Sequence, residues 1–208
     1  MEELELSRTK SKRRIKIVET AYEMFIENGI SSTSMNDVAE QCGITRRTIY
    51  NYFESKNDLL NYLMLEKTEK VDPDFHLTFD ESLSGVENLR KVLQINFESY
   101  YKHMKDFLFI TQVRTELSYR LNKRLNDPRS YKMHQAFISE IEEVIKRGQD
   151  DGTIKKLDLD PHSIARMLYQ SLYGYLSNIT IGVEVEKEKY DRKCKDFEFM
   201  IVEFLESK

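Results

Sequence analysis

The stretch Thr33-Ser34-Met35-Asn36-Asp37-Val38-Ala39-Glu40-Gln41-Cys42-Gly43-Ile44-Thr45-Arg46-Arg47-Thr48-Ile49-Tyr50-Asn51-Tyr52-Phe53 decides how this chain is read. Ser34 stands where a hydroxyl can cap a helix, and Asp37 occupies the reciprocal capping-box position three residues on. The helix so launched, roughly Ser34 to Gln41, is cut short by Gly43, which can take the left-handed conformation of a tight turn. A further helix starts near Thr45 and runs to about Phe53. Ala39 is small where the two helices would approach, and Ile49, six residues after Gly43, returns an apolar side chain to their interface. Val38, Ile44 and Tyr52 supply the remaining apolar contacts. Short helix, glycine turn, short helix is a geometry that sets one helix in the major groove of DNA while its partner braces it.

Working outward, Lys12 to Asn28 carries Ile15, Val18, Ala21, Tyr22, Phe25 and Ile26 at three- and four-residue steps, one face of an amphipathic helix that Gly29 closes. After the decisive stretch, Ser55, Lys56, Asn57 and Asp58 repeat the capping pattern and start a fourth helix through Leu59, Leu60, Leu63 and Met64. From Val71 to Ser84 the periodicity fails, and Pro73 with the Ser-Leu-Ser-Gly run reads as a linker. Long helical patterns follow at about Val86–His103, Phe107–Arg124, Tyr131–Gln149, Pro161–Ile181 and Lys187–Glu206. Asn126-Asp127-Pro128 and Asp150-Asp151-Gly152 punctuate them, and Asp160-Pro161 reads as an N-cap with proline in the first turn. With no strand alternation and no repeat, the expected fold is all-α: a three-helix head with a helix-turn-helix, then a larger C-terminal helical bundle, about nine helices in all. The expected domains are residues 1–63 and 64–208.

The run from Thr33 to Ala39, the run from Gly43 to Phe53 and Ser55-Lys56-Asn57-Asp58-Leu59-Leu60 resemble the DNA-binding head of TetR-type repressors. The resemblance is specific over roughly Arg13 to Leu63; past Lys70 it rests on length and helix count. One departure is Arg47, where many members of that family have glycine. The resemblance implies a dimeric DNA-binding transcription regulator, a repressor released from a palindromic operator by a small, partly apolar ligand. Thr45, Arg46, Arg47 and Thr48 are placed to meet base edges, where an arginine can pair bidentately with guanine. Tyr50 and Asn51 can reach a phosphate or a base. Ser34 and Lys56 are candidates for phosphate contact, since helix N-termini present free amides and a positive dipole end.

Composition sets the bounds. The 208 residues are 40% hydrophobic, enough for a core, and the 7 Gly and 3 Pro favour long helices. The net charge is −4, yet Arg8, Lys10, Lys12, Arg13, Arg14 and Lys16 crowd one segment with no acid among them, a local arm able to grip phosphates. No apolar run reaches membrane-spanning length and the N-terminus lacks a signal peptide's apolar stretch, so a cytoplasmic protein with no membrane partner is expected. Cys42 and Cys194 have no metal-type spacing and read as ordinary packed thiols. His103, His134 and His162 show no spacing that argues for a metal. No nucleophile elbow, phosphate-cradling glycine loop, dinucleotide fingerprint or His-Glu metal signature occurs, so neither an enzyme nor a cofactor is expected.

Two roles fall to the remaining two-thirds of the chain. For pairing with a second copy, the last two helices offer Ile164, Leu168, Leu172, Tyr175 and Ile179 with Phe197, Ile201, Phe204 and Leu205. For a small-molecule effector, the resemblance implies a pocket in the body, for which Phe97, Tyr101, Met104, Gln112, Phe137, Met167, Gln170 and Tyr173 are candidates; Asn178 is a further polar one. Aromatics with polar tips suit a mainly apolar cavity with a few hydrogen bonds. The rival expectation keeps the same head but puts it under a protein partner, or has it act without an inducer.

Overall fold

A computed structural model describes the backbone of residues 2–71, 79–121, 128–181 and 185–207, and the side chains of residues 11–71, 79–117, 135–181 and 185–207. Pro73 of the expected linker, Asn126-Asp127, and the side chains of Arg8, Lys10 and His134 lie outside the described residues. Among those described are nine helices: α1 (Glu2–Asn28), α2 (Met35–Gln41), α3 (Arg46–Tyr50), α4 (Lys56–Val71), α5 (Gly85–Lys102), α6 (Met104–Leu121), α7 (Pro128–Asp150), α8 (Pro161–Thr180) and α9 (Lys187–Leu205). The fold is all-α. Extended pairing among the described residues is confined to an isolated antiparallel bridge between Ile154 and Glu206.

Packing divides the chain into two compact units, Met1–Lys67 with Phe109–Leu125, and Thr68–Leu108 with Asn126–Lys208. The sequence reading placed a single division between residues 63 and 64, whereas the head unit also draws on the later part of α6. The physical reason is apolar. Phe109, Val113 and Leu117 are fully buried, and the Phe109 ring meets Tyr22 edge-on at 5.1 Å and stacks on Phe25 at 6.4 Å.

In the head, the buried face of α1 carries Ile17, Val18, Ala21 and Phe25, while Ile15 is 56% exposed. Val18, Ala21 and Phe25 of the expected stripe thus face inward, and Ile17 joins them in place of Ile15. Gly29 ends the helix at φ +86°. Its amide donates to the Phe25 carbonyl, as a left-handed C-terminal turn requires. Thr33, itself buried, donates its hydroxyl to the Gly29 carbonyl and ties down the loop that follows.

In the body, α5 packs on α7 and α9, and α7 on α8. Two of these helices start from side-chain caps. Ser84 and Glu87 form a full capping box on α5, and Asp160 accepts from the Ser163 amide at the start of α8 with Pro161 in the first turn. The carboxylate of Asp151 joins two elements by accepting from the amides of Gly85 and Thr153. A Cβ on Gly85 would lie 2.1 Å from the Gly148 backbone, so glycine is what lets α5 and α7 meet there.

Candidate nucleic-acid interface

Local chemistry fixes the caps and the turn of the α2–α3 pair. The Ser34 amide donates to the Asp37 carboxylate at 2.7 Å and the Asp37 amide to the Ser34 hydroxyl at 3.3 Å, the reciprocal box expected from sequence. These bonds from Ser34 hold the Asp37 carboxyl below the usual carboxylate range. Gly43 turns the chain at φ +69°, with the Ile44 amide donating to the Ala39 carbonyl at 2.9 Å. Thr45 then caps α3 by accepting from the Thr48 amide at 3.2 Å, and the two threonine hydroxyls bond each other at 2.9 Å. Val38, Ala39 and Ile49 are buried between the two helices, and Phe53 closes the unit from below.

The regular part of α3 is five residues, shorter than the expected Thr45–Phe53, because Asn51 is already its C-cap. Arg46, Arg47 and Asn51 are exposed, and Thr48 is half-buried. The Arg46 guanidinium lies over the Tyr50 ring at 5.7 Å from its centroid, a contact that narrows the range of a long side chain. Arg47 extends from the same surface. Tyr52, expected to pack inward, is half-buried.

Ser34, Tyr50 and Lys56 come together on an open groove of ≈ 520 Å³ whose wall also includes Ser31, Ser32 and Ser55. Four consecutive hydroxyl residues, 31–34, were the signal for that wall, and of these only Ser34 was expected at the interface, as a cap and a phosphate contact. The Ser55 hydroxyl accepts from the Asp58 amide at the start of α4. Lys56 does more than face outward. Its ammonium donates to the Ile30 carbonyl and lies 5.8 Å from the Phe25 ring centroid, so it also fastens the α1–α2 loop.

The basic arm divides in the same way. Lys16 donates to the Cys42 carbonyl at 3.0 Å, capping the C-terminal end of α2. Arg14 lies over the rings of Phe53 and Tyr62 at 5.2 and 4.5 Å. These two cations brace the head, while Lys12 and Arg13 are exposed. Cys42 is a buried thiol beneath this cap, and in the body burial pushes the Cys194 thiol up to about 11.

The body sorts its expected residues by burial. Of the effector candidates, Phe97 and Phe137 are buried and Tyr101, Met104 and Tyr173 half-buried, whereas Gln112, Met167 and Gln170 are exposed, as is Asn178. Gln112 belongs to the head unit. Tyr173 is the centre of an aromatic group with Tyr169, Phe137, Phe107 and Tyr100 at centroid distances of 4.7 to 6.5 Å. Of the residues expected to pair two copies, Ile164, Leu172, Phe197, Ile201 and Leu205 are buried in the chain's own core, Leu168, Tyr175 and Ile179 are half-buried, and Phe204 is 63% exposed. The outward apolar side chains of α8 and α9 are instead Met167, Phe199, Met200 and Phe204, with Ile181 just past α8. The sequence pattern gave the helices and missed the phase, because both faces of each carry apolar residues. His103 faces Asp106 at 4.0 Å and His162 faces Glu142 at 2.8 Å, on separate helices. Among the described residues no helix is long and apolar enough to cross a membrane.

Comparison with known proteins points to the same stretch of the chain. Residues 17–63 match the model of the bacterial regulatory proteins of the tetR family. The fatty acid metabolism regulator protein of Bacillus subtilis (strain 168) is 24% identical over 184 residues, 88% of this chain and 89% of that one. The probable acrEF/envCD operon repressor of Escherichia coli (strain K12) is 40% identical over 88 residues, 42% of this chain and 40% of that one. The structure of the ketosteroid transcriptional regulator KstR2 of Mycobacterium tuberculosis superposes with a TM-score of 0.66 at 18% identity, covering 94% of this chain and 96% of that one. Together with the capped, glycine-turned helix pair, these matches identify residues 17–63 as a DNA-binding head of the kind found in the tetR family of bacterial regulatory proteins, on a chain whose fold is that of the ketosteroid regulator.

Proposed function

We propose that the protein acts as a homodimeric repressor that holds a palindromic operator through α3 and leaves it when a small, partly apolar molecule fills the body. One observation carries the reading. Two arginines stand outward on a short helix whose backbone is fixed at both ends, next to an open groove whose lining includes several hydroxyls and Lys56, with Glu54 as its one acid. In it, Arg46, Arg47, Thr48 and Asn51 meet base edges, and Ser34, Tyr50 and Lys56 meet the phosphates that set the register. Thr45 contributes through the geometry of the cap more than through a free hydroxyl.

A single such helix covers too few base pairs for strong selectivity, and dimers read half-sites about 34–36 Å apart on one face of the duplex. The outward apolar side chains Met167, Phe199, Met200 and Phe204 on α8 and α9 supply the surface that a second copy would bury. The names of the relatives, one for fatty acid metabolism and one for ketosteroids, both concern apolar compounds and favour an effector of that character.

The test is selection of tight-binding duplexes from a random pool by the purified chain at physiological salt. A palindrome with half-sites about one helical turn or a multiple apart is the expected product. Enrichment of a single asymmetric half-site would remove the dimer, and no enrichment would overturn the operator reading.

A further inference from the structure

The apolar face of α5 is interrupted by three buried polar residues, Asn88, Asn96 and Ser99. Two of them are accounted for. Asn88 donates its amide to the carbonyls of Asp80, Leu83 and Ser84 and so closes the loop before the helix. Asn96 donates to the Val92 carbonyl at 2.7 Å and accepts from the Tyr173 hydroxyl at 2.9 Å, which leaves the amide's second N–H unused. Ser99, one turn further along the same face, is 4% exposed, and its hydroxyl has no hydrogen-bond partner among the described residues.

Buried hydroxyls are nearly always paired, because an unpaired one forfeits its hydration with nothing in return. The neighbourhood says what kind of partner is missing. Tyr100, next in sequence, stacks on Phe107 at 4.8 Å and shares a hydrogen bond with Thr180 at 3.2 Å. Tyr173, bonded to Asn96, lies against Tyr169, Phe137 and Phe107. Flat rings make a wall that prefers other flat, apolar groups. The polar atoms around it are hydroxyls and an amide, all uncharged. The nearest charged groups along the chain, Glu98 and Lys102, are exposed, His103 and Asp106 face each other, and Lys70 is already paired with Asp106 at 2.9 Å.

We propose that Ser99, Asn96 and Tyr173 form the polar end of a small-molecule site, and that the molecule is an uncharged ring compound presenting one hydroxyl or carbonyl oxygen to them. The proposal rests on the reading of the body as a sensing unit and adds the chemical class of what it senses. A carboxylate would enter without a cation to meet it and would lose its hydration uncompensated.

The probes are 2-naphthol and 2-naphthoate, equal in ring system and different in charge at neutral pH, titrated calorimetrically into the full chain, Ser99→Ala and Tyr173→Phe. The expected result is saturable binding of 2-naphthol, weakened about 2- to 10-fold by either substitution, as loss of one hydrogen bond implies. Binding of 2-naphthoate is expected to be about tenfold weaker or worse. Without any probe, Ser99→Ala is expected to raise the melting temperature by about 2–4 °C, since it deletes an unpaired buried hydroxyl. Absence of 2-naphthol binding, equal or tighter binding of 2-naphthoate, or unchanged affinity in both variants would each overturn the proposal. A lower melting temperature for Ser99→Ala would do the same by showing the hydroxyl to be paired. Selection of operator duplexes by the same unliganded chain separates this failure from that of the regulator reading: an enriched palindrome with no 2-naphthol binding sinks only the ligand class.

Discussion

The head and the body are both built of helices, but they are held together by different means. In the head, the short helices α2 and α3 are fixed mainly by chemistry within a few residues of their ends: a capping box at Ser34, a left-handed glycine at 43 and the Thr45 cap. Two lysines distant in sequence add bonds to the carbonyls of Cys42 and Ile30. In the body, helices of 18 to 23 residues are set against one another by long-range packing, with polar side chains buried between them. Local chemistry fixes where a side chain points whatever lies farther off. Packing fixes it only while the neighbours stay as they are. Under the proposed function, the first construction suits a unit that presents arginines to DNA, and the second one that responds to an occupant.

The strongest way to break this contrast is Phe109→Ala. Phe109 belongs to α6, far along the chain, yet it is fully buried against Tyr22 and Phe25 of the head. Removing a buried phenylalanine costs about 3–5 kcal/mol. The expected outcome is loss of the head's cooperative melting and of operator binding together, followed by calorimetry and duplex titration. Unchanged DNA affinity would mean that the head stands on local chemistry alone and that its packing on α6 is incidental.

Gly43 sharpens the local half of the comparison. A Cβ there would meet nothing within 4 Å, so space is not at issue and only the positive φ opposes a side chain. Gly43→Ala is therefore expected to destabilise the head by about 1–2 kcal/mol. Gly43→Asn should cost less, since asparagine tolerates that conformation. Equal losses for the two, measured by chemical denaturation, would point to a cause other than backbone conformation.

The same division explains what the sequence disclosed. Ser34, Asp37, Gly43 and Thr45 all fall within one stretch, residues 34–45, and each acts on residues close by in sequence, so the helix-turn-helix was legible down to its capping bonds. The body helices were legible as helices, their ends punctuated by Asp160-Pro161 and Asp151-Gly152. What was not legible was which face turns inward. Leu172 and Phe197 are buried and Phe199 and Met200 exposed, and no periodicity separates them because α8 and α9 are apolar on both sides. Ser99 escaped notice for a related reason: a serine in a helix signals nothing until its neighbours across the core are known. Gln112, Gln170 and Asn178 were better polar candidates by size, and all three are exposed.

Acid should act on the two units unequally. Hydrogen bonds from Ser34 depress the Asp37 carboxyl in the head. In the body the same holds for Glu87 with Ser84 and Asp160 with Ser163, and for Asp151, where burial raises the value but bonds from Thr153 and Gly85 outweigh it. Asp80, bonded by Ser82, and Glu142, bonded by Lys146 and His162, are also depressed. A carboxyl depressed in the folded state adds stability above its unfolded value of about 4, and that contribution is lost as pH falls through the folded value. Lowering the pH from about 5 towards 3 is therefore expected to open the start of α5 and the turn after α7, where Glu87 and Asp151 are both depressed, more than the start of α2, which rests on Asp37 alone. Hydrogen exchange resolved by peptide reads this directly, and equal or greater loss in α2 would contradict it.

The smallest effect divides the head itself. Arg47 is exposed, whereas Lys56 both lines the groove and holds the Ile30 carbonyl. If Arg47 reads a base, Arg47→Ala relaxes preference at one operator position and costs about 1–3 kcal/mol there, with little change in stability. If Lys56 meets a phosphate, Lys56→Gln weakens all duplexes about equally and makes the salt dependence shallower by about one unit. Its second bond adds a distinguishing mark: the variant should also melt somewhat lower, because the α1–α2 loop loses its fastening. An affinity loss with the salt slope unchanged would mean that Lys56 acts on DNA only through the shape of that loop, and the phosphate contact would pass to the exposed hydroxyls of Ser31 and Ser32, which share its groove.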